Sequence, residues 1–318
     1  MMCRPHRPVI SALLIDISGT LHVGKTPTPK AVDAFHRLRE SSIPFRLCSN
    51  SSKESSTDLA KRLESLGFEI SFQSKKEDFV YPGSHNSQIL WTSIAAAAQL
   101  VKNMNLEKPL LLLSESAASE VLSQLSPNGR SALESVDNCY DSVVVGLSPS
   151  SFDYGHLNEA FRVLKGEHKC KVHDQQATPS VPLIATHKAK YIQTDDGLSL
   201  GPGPFVTALE TATGVTAHVV GKPSKAFFNM VIDDIKLSEP LSDPAKLGKG
   251  AATNDRGKIA VIGDDVEADL GGGAVELGLW RVLVKTGKYR PGDETRKGIV
   301  PPDEIYDSFS DFIDSLLK

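Results

Sequence analysis

The sequence is poor in cysteine, and the four cysteines that it has lie far apart. Cys3, Cys48, Cys139 and Cys170 form no C-x-x-C pair and show no paired spacing. This distribution predicts neither a structural zinc site nor a disulfide framework. Cys48 lies in an apolar segment, so we interpret it as a small buried hydrophobic side chain.

The sequence also lacks long apolar runs and a strong charge of one sign. No segment approaches the roughly 20 apolar residues that a membrane-spanning helix needs, and the apolar run near the N-terminus is too short for a signal peptide. The net charge is −4, with both signs mixed along the chain. These features argue against nucleic acid and membranes as partners. We therefore expect a cytoplasmic protein in a reducing compartment.

What the chain does have is an ordinary globular composition and alternating strand and helix patterns. Its 318 residues are 40% hydrophobic and 23% charged, which favours about two domains. The early pattern of strand, helix, strand and helix predicts a parallel sheet. Polar segments at 71–88, 165–180 and 238–257 interrupt the alternation as insertions. The predicted strands are 9–15, 43–48, 110–113, 142–147, 182–186, 218–220, 258–262 and 280–284, and the predicted helices are 28–39, 52–66, 89–104, 152–164, 205–213 and 309–317.

Four of the predicted strands end in polar residues that could share one site. Because the carboxyl ends of parallel strands meet at one edge of a sheet, we expect these residues to converge. Carboxylates with a substrate phosphate suit Mg²⁺, and a lysine beside them would neutralise phosphoryl charge. The four strand ends carry Asp16 with Ser18 and Thr20, then Ser49 with Asn50, then Lys222, then Asp264, Asp265 and Asp269.

Each motif taken alone also has a structural interpretation. Asp16 could be an N-cap that starts a turn or a helix, and Ser49 could be the N-cap of a helix. Lys222 could be an ordinary solvated lysine. The run Gly271–Gly273 could cradle a phosphate, but it lacks the flanking pattern, which favours close packing of a helix on the sheet.

Together the motifs resemble those of the haloacid dehalogenase-like hydrolases. D-I-S-G-T, the Ser49 loop, G-K-P and G-D-D-V-E-A-D occur in that family's order, and the long middle block resembles its class with a large α/β cap. The resemblance implies an α/β protein: a doubly wound parallel-sheet (Rossmann-like) core with an inserted smaller α/β cap domain. The core would comprise residues 1–88 and 201–318, and the cap residues 89–200. The implied activity is a magnesium-dependent phosphatase that acts through an aspartyl-phosphate.

The resemblance also implies a role for each site residue. Asp16 would be the nucleophile, with Ser49 and Asn50 binding phosphoryl oxygens and Lys222 orienting Asp16 and screening the phosphate. Asp16, the main-chain carbonyl of Ser18 and Asp264 would bind Mg²⁺. Asp265 and Asp269 would be accessory groups, each open to the roles of ligand, orienting group or helix N-cap.

The middle block would act as a lid over the site. A cationic cluster of His187, Lys188, Lys190 and Tyr191 would either face an anionic substrate or form a solvated charged face. Gly201–Pro204 is interpreted as one of the two hinges between lid and core. The expected partners are a small phosphorylated substrate or a phosphorylated protein side chain, together with a homodimer through the cap.

Ser18 departs from the family pattern. Phosphatases of this family usually carry Asp two residues after the nucleophile, where it protonates the leaving group. A serine cannot replace it near neutral pH, and general acid–base catalysis is typically worth about 10²–10⁴-fold. The deficit shrinks for good leaving groups, so pyrophosphate, phosphohistidine and phospholysine are the favoured substrates. The alternative is a weakly active or inactive phosphatase-like protein that binds phosphate or a protein partner through its cap. A nucleotide-binding dehydrogenase ranks third, since no G-x-G-x-x-G follows the first strand.

Overall fold

The computed structural model describes residues 7–70, 89–125, 140–168, 181–194, 196–238 and 257–318. The predicted insertions at 71–88, 165–180 and 238–257 lie almost entirely outside these ranges, as do Cys3, Cys139 and Cys170. The chain folds into two compact units. The core unit comprises Met1–Ser49, Ala60–Trp91 and Pro223–Lys318, and the inserted unit comprises Asn50–Leu59 and Thr92–Lys222.

The secondary structure alternates between strands and helices along most of the chain. The strands are β1 (Ile10–Asp16), β2 (His22–Val23), β3 (Thr26–Pro27), β4 (Phe45–Ser49), β5 (Leu90–Thr92), β6 (Pro109–Leu112), β7 (Ser142–Val145), β8 (Leu183–Ala185), β9 (Tyr191–Thr194), β10 (Gly197–Leu200), β11 (His218–Val219), β12 (Lys258–Gly263), β13 (Trp280–Val284) and β14 (Glu304–Tyr306). The α-helices are α1 (Ala31–Glu40), α2 (Ser56–Ser65), α3 (Ser93–Asn103), α4 (Glu115–Ser123), α5 (Tyr154–Lys165), α6 (Gly203–Thr213), α7 (Lys225–Ser238), α8 (Gly273–Glu276) and α9 (Phe309–Leu316).

The core unit is built on a six-stranded sheet in the order β5-β4-β1-β12-β13-β14. The pairs that β1 forms with β4 and β12 are parallel, as are the pairs of β13 with β12 and β14. Numbered by position in the chain, these six strands run 3-2-1-4-5-6, which is the doubly wound order. The order reverses between β1 and β12, so a crevice for ligands is expected at their carboxyl ends. The predicted fold class is confirmed.

Apolar side chains explain why β1 occupies the centre of this sheet. Leu13, Leu14 and Ile15 are fully buried, as expected for a parallel strand covered on both faces. On one side, α1 packs Phe35 edge-to-face against Phe45 of β4, with ring centroids 5.4 Å apart. The centre of the sheet is thus a rigid support for the loops that follow β1 and β12.

The inserted unit is a smaller α/β domain with its own core. Its four-stranded sheet has the order β11-β8-β7-β6, and all three pairs are parallel. Successive side chains of a strand point to opposite faces. Accordingly, Val143 and Val145 of β7 pack in a cluster with α5 and α6, whereas Val144 packs in a second cluster with α3 and α4. The short strands β9 and β10 form a separate antiparallel pair.

The unit boundaries differ from the predicted cap boundaries of 89–200. The inserted unit extends to Lys222 because β11 pairs with β8 and because α6 buries Val206 and Leu209 in this unit's core. The predicted hinge at Gly201–Pro204 therefore lies inside the inserted unit and leads into α6, so that interpretation is wrong. The apolar pattern does not distinguish a connecting segment from one that adds the last strand to a sheet.

Several further elements differ from the sequence expectation. The predicted helix at 89–104 is wrong at its start, where residues 90–92 form β5. The Thr92 side chain accepts a hydrogen bond from the N–H of Ala95 and so caps α3. Helices α4 and α7 were not predicted, and neither were the strands β2, β3, β9, β10 and β14. Among the described helices, none combines the length and apolar character needed to cross a membrane.

Candidate active site

Three buried carboxylates converge in the core unit. Asp16 is the last residue of β1, Asp264 directly follows β12, and Asp269 lies five residues further along. One carboxylate oxygen from each residue lies within 4.8 Å of the others. Since β1 and β12 are adjacent parallel strands, their ends meet where the strand order reverses. All three carboxylates were predicted to converge, with Asp269 as an accessory group, and the structure places Asp269 within the cluster itself.

The loop after β1 holds the Asp16 carboxylate in place. The hydroxyl of Thr20 donates to Asp16 Oδ2 at 2.9 Å. Gly19 between them has a φ of +101°, and a Cβ there would lie 2.0 Å from Asp264 Oδ2. Glycine is therefore required both by the backbone conformation and by the close approach of Asp264. No helix starts at this loop, since α1 begins only at Ala31, so a helix N-cap role for Asp16 is excluded, although residues 19–21 form a turn.

Asp264 is buried beside the two other carboxylates of this cluster. It is 3% exposed, and its Oδ2 accepts a hydrogen bond from the backbone N–H of Lys288 at 2.6 Å. Burial raises the pKa of Asp264 well above its ordinary value, and the negative charges of Asp16 and Asp269 raise it further. An ionised Asp264 is thus costly in the absence of a cation.

Asp265 makes a different set of contacts from its neighbour. Its Oδ1 accepts from the backbone N–H groups of Glu267 and Ala268, and its Oδ2 accepts from Lys288 Nζ at 3.1 Å. Burial opposes its ionisation, but the Lys288 ammonium and these backbone donors outweigh burial and lower the pKa of Asp265. The N–H of Asp265 donates to Asp269 Oδ2 at 3.1 Å. Asp265 therefore links Lys288 to the carboxylate cluster, whereas Asp269 is itself a member of the cluster.

Lys288 and Thr286 were missed by the sequence analysis. Both lie just after β13, in the segment Lys285-Thr286-Gly287-Lys288, and the Thr286 hydroxyl donates to the carbonyl of Gly19. Burial lowers the pKa of Lys288, but the charges of Asp265 and the cluster outweigh it and raise that pKa above its ordinary value. A sequence signal that could have indicated these two residues is that β13, like the four strands already considered, is followed by polar residues.

The other predicted site residues lie at the end of β4 and in the inserted unit. Ser49 is the last residue of β4 and is 1% exposed; α2 begins only at Ser56, which excludes an N-cap role. In the inserted unit, Asn50 Nδ2 donates to the carbonyl of Lys222 at 2.8 Å, and Asn50 Oδ1 accepts from the N–H of Lys222 at 2.9 Å. Lys222 is 1% exposed, so the interpretation as a solvated lysine is wrong.

Comparison with known proteins identifies the family. A profile described as "Haloacid dehalogenase-like hydrolase" matches residues 13–126, and a second, described as "HAD-hyrolase-like", matches residues 219–312. Haloacid dehalogenase-like hydrolase domain-containing protein 2 of Homo sapiens is 38% identical over 309 residues, which cover 97% of this chain and 96% of that protein. The chain belongs to the haloacid dehalogenase-like hydrolases. The family predicted from the motifs is confirmed.

Two further relatives of this haloacid dehalogenase-like hydrolase bear on its chemistry and fold. Phospholysine phosphohistidine inorganic pyrophosphate phosphatase of Homo sapiens is 31% identical over 313 residues, covering 97% of this chain and 95% of that protein. The crystal structure of a glycerol phosphate phosphatase from Mycobacterium tuberculosis in complex with magnesium superposes with a TM-score of 0.67 at 24% identity, covering 96% of this chain and 78% of that one. The second likeness supports the fold.

Two other sequence predictions can be examined in this hydrolase. Of the predicted cationic cluster, His187 is 4% exposed, with Nε2 3.3 Å from Ser52 Oγ, and Lys188 forms an ion pair with Glu210 at 2.6 Å. His187 therefore does not belong to a solvated charged face, whereas Lys190 is exposed and is compatible with one. The glycine run does pack closely, but against the start of α7 rather than against the sheet, because a Cβ on Gly273 would lie 2.6 Å from the Cα of Lys225.

Proposed function

We propose that this hydrolase is a magnesium-dependent phosphatase that acts through an aspartyl-phosphate on Asp16. The observation that carries the proposal is the buried cluster of Asp16, Asp264 and Asp269, whose oxygens lie within 4.8 Å of one another. Family membership supports phosphate esters as the substrate class, since the relatives include enzymes named as phosphatases.

The carboxylate cluster fits a divalent cation. Its donors are all oxygens, which Mg²⁺ prefers together with substrate phosphate. Burial and the neighbouring carboxylates make the negative charge of Asp264 costly, and a cation would offset that cost. Asp16, Asp264 and the main-chain carbonyl of Ser18 would hold Mg²⁺, with Asp269 beside them. The bound ion would neutralise charge on the phosphoryl group. The magnesium complex of the structural neighbour supports this assignment.

The chemical steps need one nucleophile and a set of phosphate contacts. A carboxylate oxygen of Asp16 attacks phosphorus, and the bond from phosphorus to the leaving group breaks, its electron pair going to the leaving group. Water then attacks phosphorus and releases inorganic phosphate and the free carboxylate. Thr20, bonded to Asp16 Oδ2, keeps the nucleophile oriented. Ser49 would donate to a phosphoryl oxygen, and Lys222 would neutralise phosphoryl charge.

Ser18 directs the substrate proposal towards good leaving groups. Its side chain is exposed, and a hydroxyl there cannot protonate a departing alkoxide near neutral pH. Pyrophosphate and the phosphorus–nitrogen bonds of phosphohistidine and phospholysine depend less on such an acid. The 31% identical phosphatase is named for these three substrates, which supports the same class here.

A substrate panel tests the proposal. Turnover of pyrophosphate, a phosphohistidine peptide and an activated aryl phosphate would be measured with Mg²⁺ or with EDTA. We expect turnover that requires the metal and that Asp16→Asn abolishes. The matched control is Asp33→Asn, because Asp33 is an exposed carboxylate in the first turn of α1. Turnover that survives in Asp16→Asn would contradict the aspartyl-phosphate.

The second candidate is a phosphatase-like binding protein, favoured by the serine at position 18. It predicts no turnover of any substrate in the panel while Mg²⁺ still raises the melting temperature. The phosphatase predicts both turnover and a rise in melting temperature with Mg²⁺. The two measurements on one preparation therefore separate the candidates.

A further inference from the structure

Asn50 and Lys222 are joined by a pair of hydrogen bonds within the inserted unit. The Asn50 side chain donates to the Lys222 carbonyl at 2.8 Å and accepts from the Lys222 N–H at 2.9 Å. One side-chain amide thus bonds both polar groups of one residue, as a residue of a neighbouring antiparallel strand does. Two bonds to the same residue restrict both the position and the rotation of its backbone.

The residue before Lys222 is held from another side. The N–H of Gly221 donates to the carbonyl of Thr186 at 2.9 Å, just after β8. A Cβ on Gly221 would lie 2.4 Å from Asn50 Oδ1 and 2.4 Å from the Thr186 carbonyl oxygen. The glycine therefore makes room for the Asn50 amide. Residues 221 and 222 are fixed between the end of β8 and the Asn50 side chain.

We infer that Asn50 is a positioning residue that fixes the backbone from which the Lys222 side chain extends. The inference rests on the proposed function, in which the Lys222 ammonium neutralises phosphoryl charge. The resemblance assigned Asn50 to phosphate binding, whereas one amide donor and one acceptor position are occupied by Lys222. A lysine has a long flexible stem, so a fixed starting point restricts where its ammonium can lie. Displacing a catalytic group by about 1 Å can cost about 100-fold in rate.

A double-mutant cycle separates positioning from direct substrate contact. The variants are Asn50→Ala, Lys222→Met and the double variant, assayed for kcat on an activated aryl phosphate with Mg²⁺. We expect Asn50→Ala to lower kcat by about 100-fold in the native background and to have no further effect in Lys222→Met. If Lys222→Met leaves no measurable turnover, Lys222→Arg serves as the second background, where we expect the loss from Asn50→Ala to be smaller than in the native chain. The matched control is Asn158→Ala, a partly buried asparagine on α5 of the same unit.

Amide hydrogen exchange gives a readout that does not depend on activity. Because the Lys222 N–H donates to Asn50, its exchange should accelerate in Asn50→Ala and stay unchanged in Asn158→Ala. Accelerated exchange with a non-additive cycle supports the positioning role. Unchanged exchange overturns it, and so do equal losses of kcat in both backgrounds, which indicate direct contact with substrate. If Asp16→Asn keeps full turnover, the proposed phosphatase activity is refuted and the positioning role with it. If Asp16→Asn abolishes turnover but the kcat losses in the cycle are additive, the phosphatase proposal stands and only the positioning role is overturned.

Discussion

Replacing Asp264 with Asn should stabilise the metal-free protein and abolish its stabilisation by Mg²⁺. The carboxylate of Asp264 is buried beside those of Asp16 and Asp269, and its pKa is raised well above the ordinary value. An asparagine keeps an oxygen that can accept the Lys288 N–H bond of 2.6 Å but carries no charge. The substitution therefore removes an electrostatic cost while it also removes a proposed metal ligand.

The raised pKa fixes the sign of the pH dependence. Between the ordinary value and the raised value, the folded protein binds more protons at Asp264 than the unfolded chain does. The free energy of unfolding of the metal-free protein therefore falls as the pH rises through this window. Each unit of pKa shift corresponds to about 1.36 kcal/mol of unfolding free energy. For domains of this size, each kcal/mol changes the melting temperature by about 2–4 °C.

Mg²⁺ should reverse the ranking of the two proteins. A ligand at 100 times its dissociation constant stabilises the folded state by about 2.7 kcal/mol. Wild type should gain this stabilisation, and Asp264→Asn should gain little, because it lacks one of the charged ligands. In EDTA at neutral pH we expect Asp264→Asn to melt higher than wild type, and in saturating Mg²⁺ to melt lower.

Thermal denaturation followed by circular dichroism, in EDTA and in Mg²⁺, measures both effects. Lowering the pH towards 5 in EDTA should reduce the difference in melting temperature between the two proteins, because protonation of Asp264 then removes the buried charge from wild type as well. Asp33→Asn controls for removal of an exposed carboxylate. If Asp264→Asn melts lower than wild type in EDTA, or if Mg²⁺ raises both melting temperatures equally, the assignment of a cation site is refuted.

Three further substitutions test single features of the site. Ser18→Asp should raise kcat on an alkyl phosphomonoester, by up to about 10²–10⁴-fold, because it supplies the missing acid; unchanged kcat would show that the acid is not limiting. Gly19→Ala should lower the melting temperature and the response to Mg²⁺, since its Cβ would meet a cluster carboxylate at 2.0 Å. Gly197→Ala, at a φ of +110° with nothing within 4 Å, should show only a backbone cost of about 1–2 kcal/mol; equal effects in both variants would argue against the steric explanation. Lys288→Met should destabilise the protein by about 2 kcal/mol at neutral pH, because a charged hydrogen bond to Asp265 is lost. The pKa of Asp265 is lowered in the folded state, so the stabilisation by Lys288 is present when the pH is above the ordinary pKa of Asp265 and is lost as the pH falls below it. Denaturant unfolding should therefore show a smaller difference in unfolding free energy between wild type and Lys288→Met at pH 3 than at pH 7.

The local elements of the core were largely predictable from sequence. The runs that became β1, β4, β12 and β13 are recognisable because a parallel strand covered on both faces is a nearly continuous apolar segment, although β4 and β13 each contain a buried arginine. Most failures were short or ambiguous segments, although the 14-residue helix α7 was also missed. β5 is three residues long and is continuous with the apolar face of α3, and local pattern does not show where such a run changes from strand to helix.

The motifs indicated the candidate site residues but not which of them contact one another. Asp265 and Asp269 both follow β12 in one acidic segment, and nothing in their spacing shows that Asp269 joins the metal-type cluster while Asp265 bonds Lys288. That difference comes from the turn after β12, in which the N–H of Asp265 donates back to Asp269. Lys288 enters the site only because β13 lies beside β12 in the sheet.

By itself the sequence determined the family and the fold class and indicated which carboxylates lie at strand ends, because these depend on residue types at strand ends and on side-chain periodicity along the chain. The tertiary structure alone decided which partners those residues have. The contact between Asn50 and Lys222 joins residues 172 positions apart, and the extent of the inserted unit depends on the pairing of β11 with β8. Contacts across such separations are set by strand order and by the space that a glycine leaves at residue 221, and neither is written in a local pattern of residues.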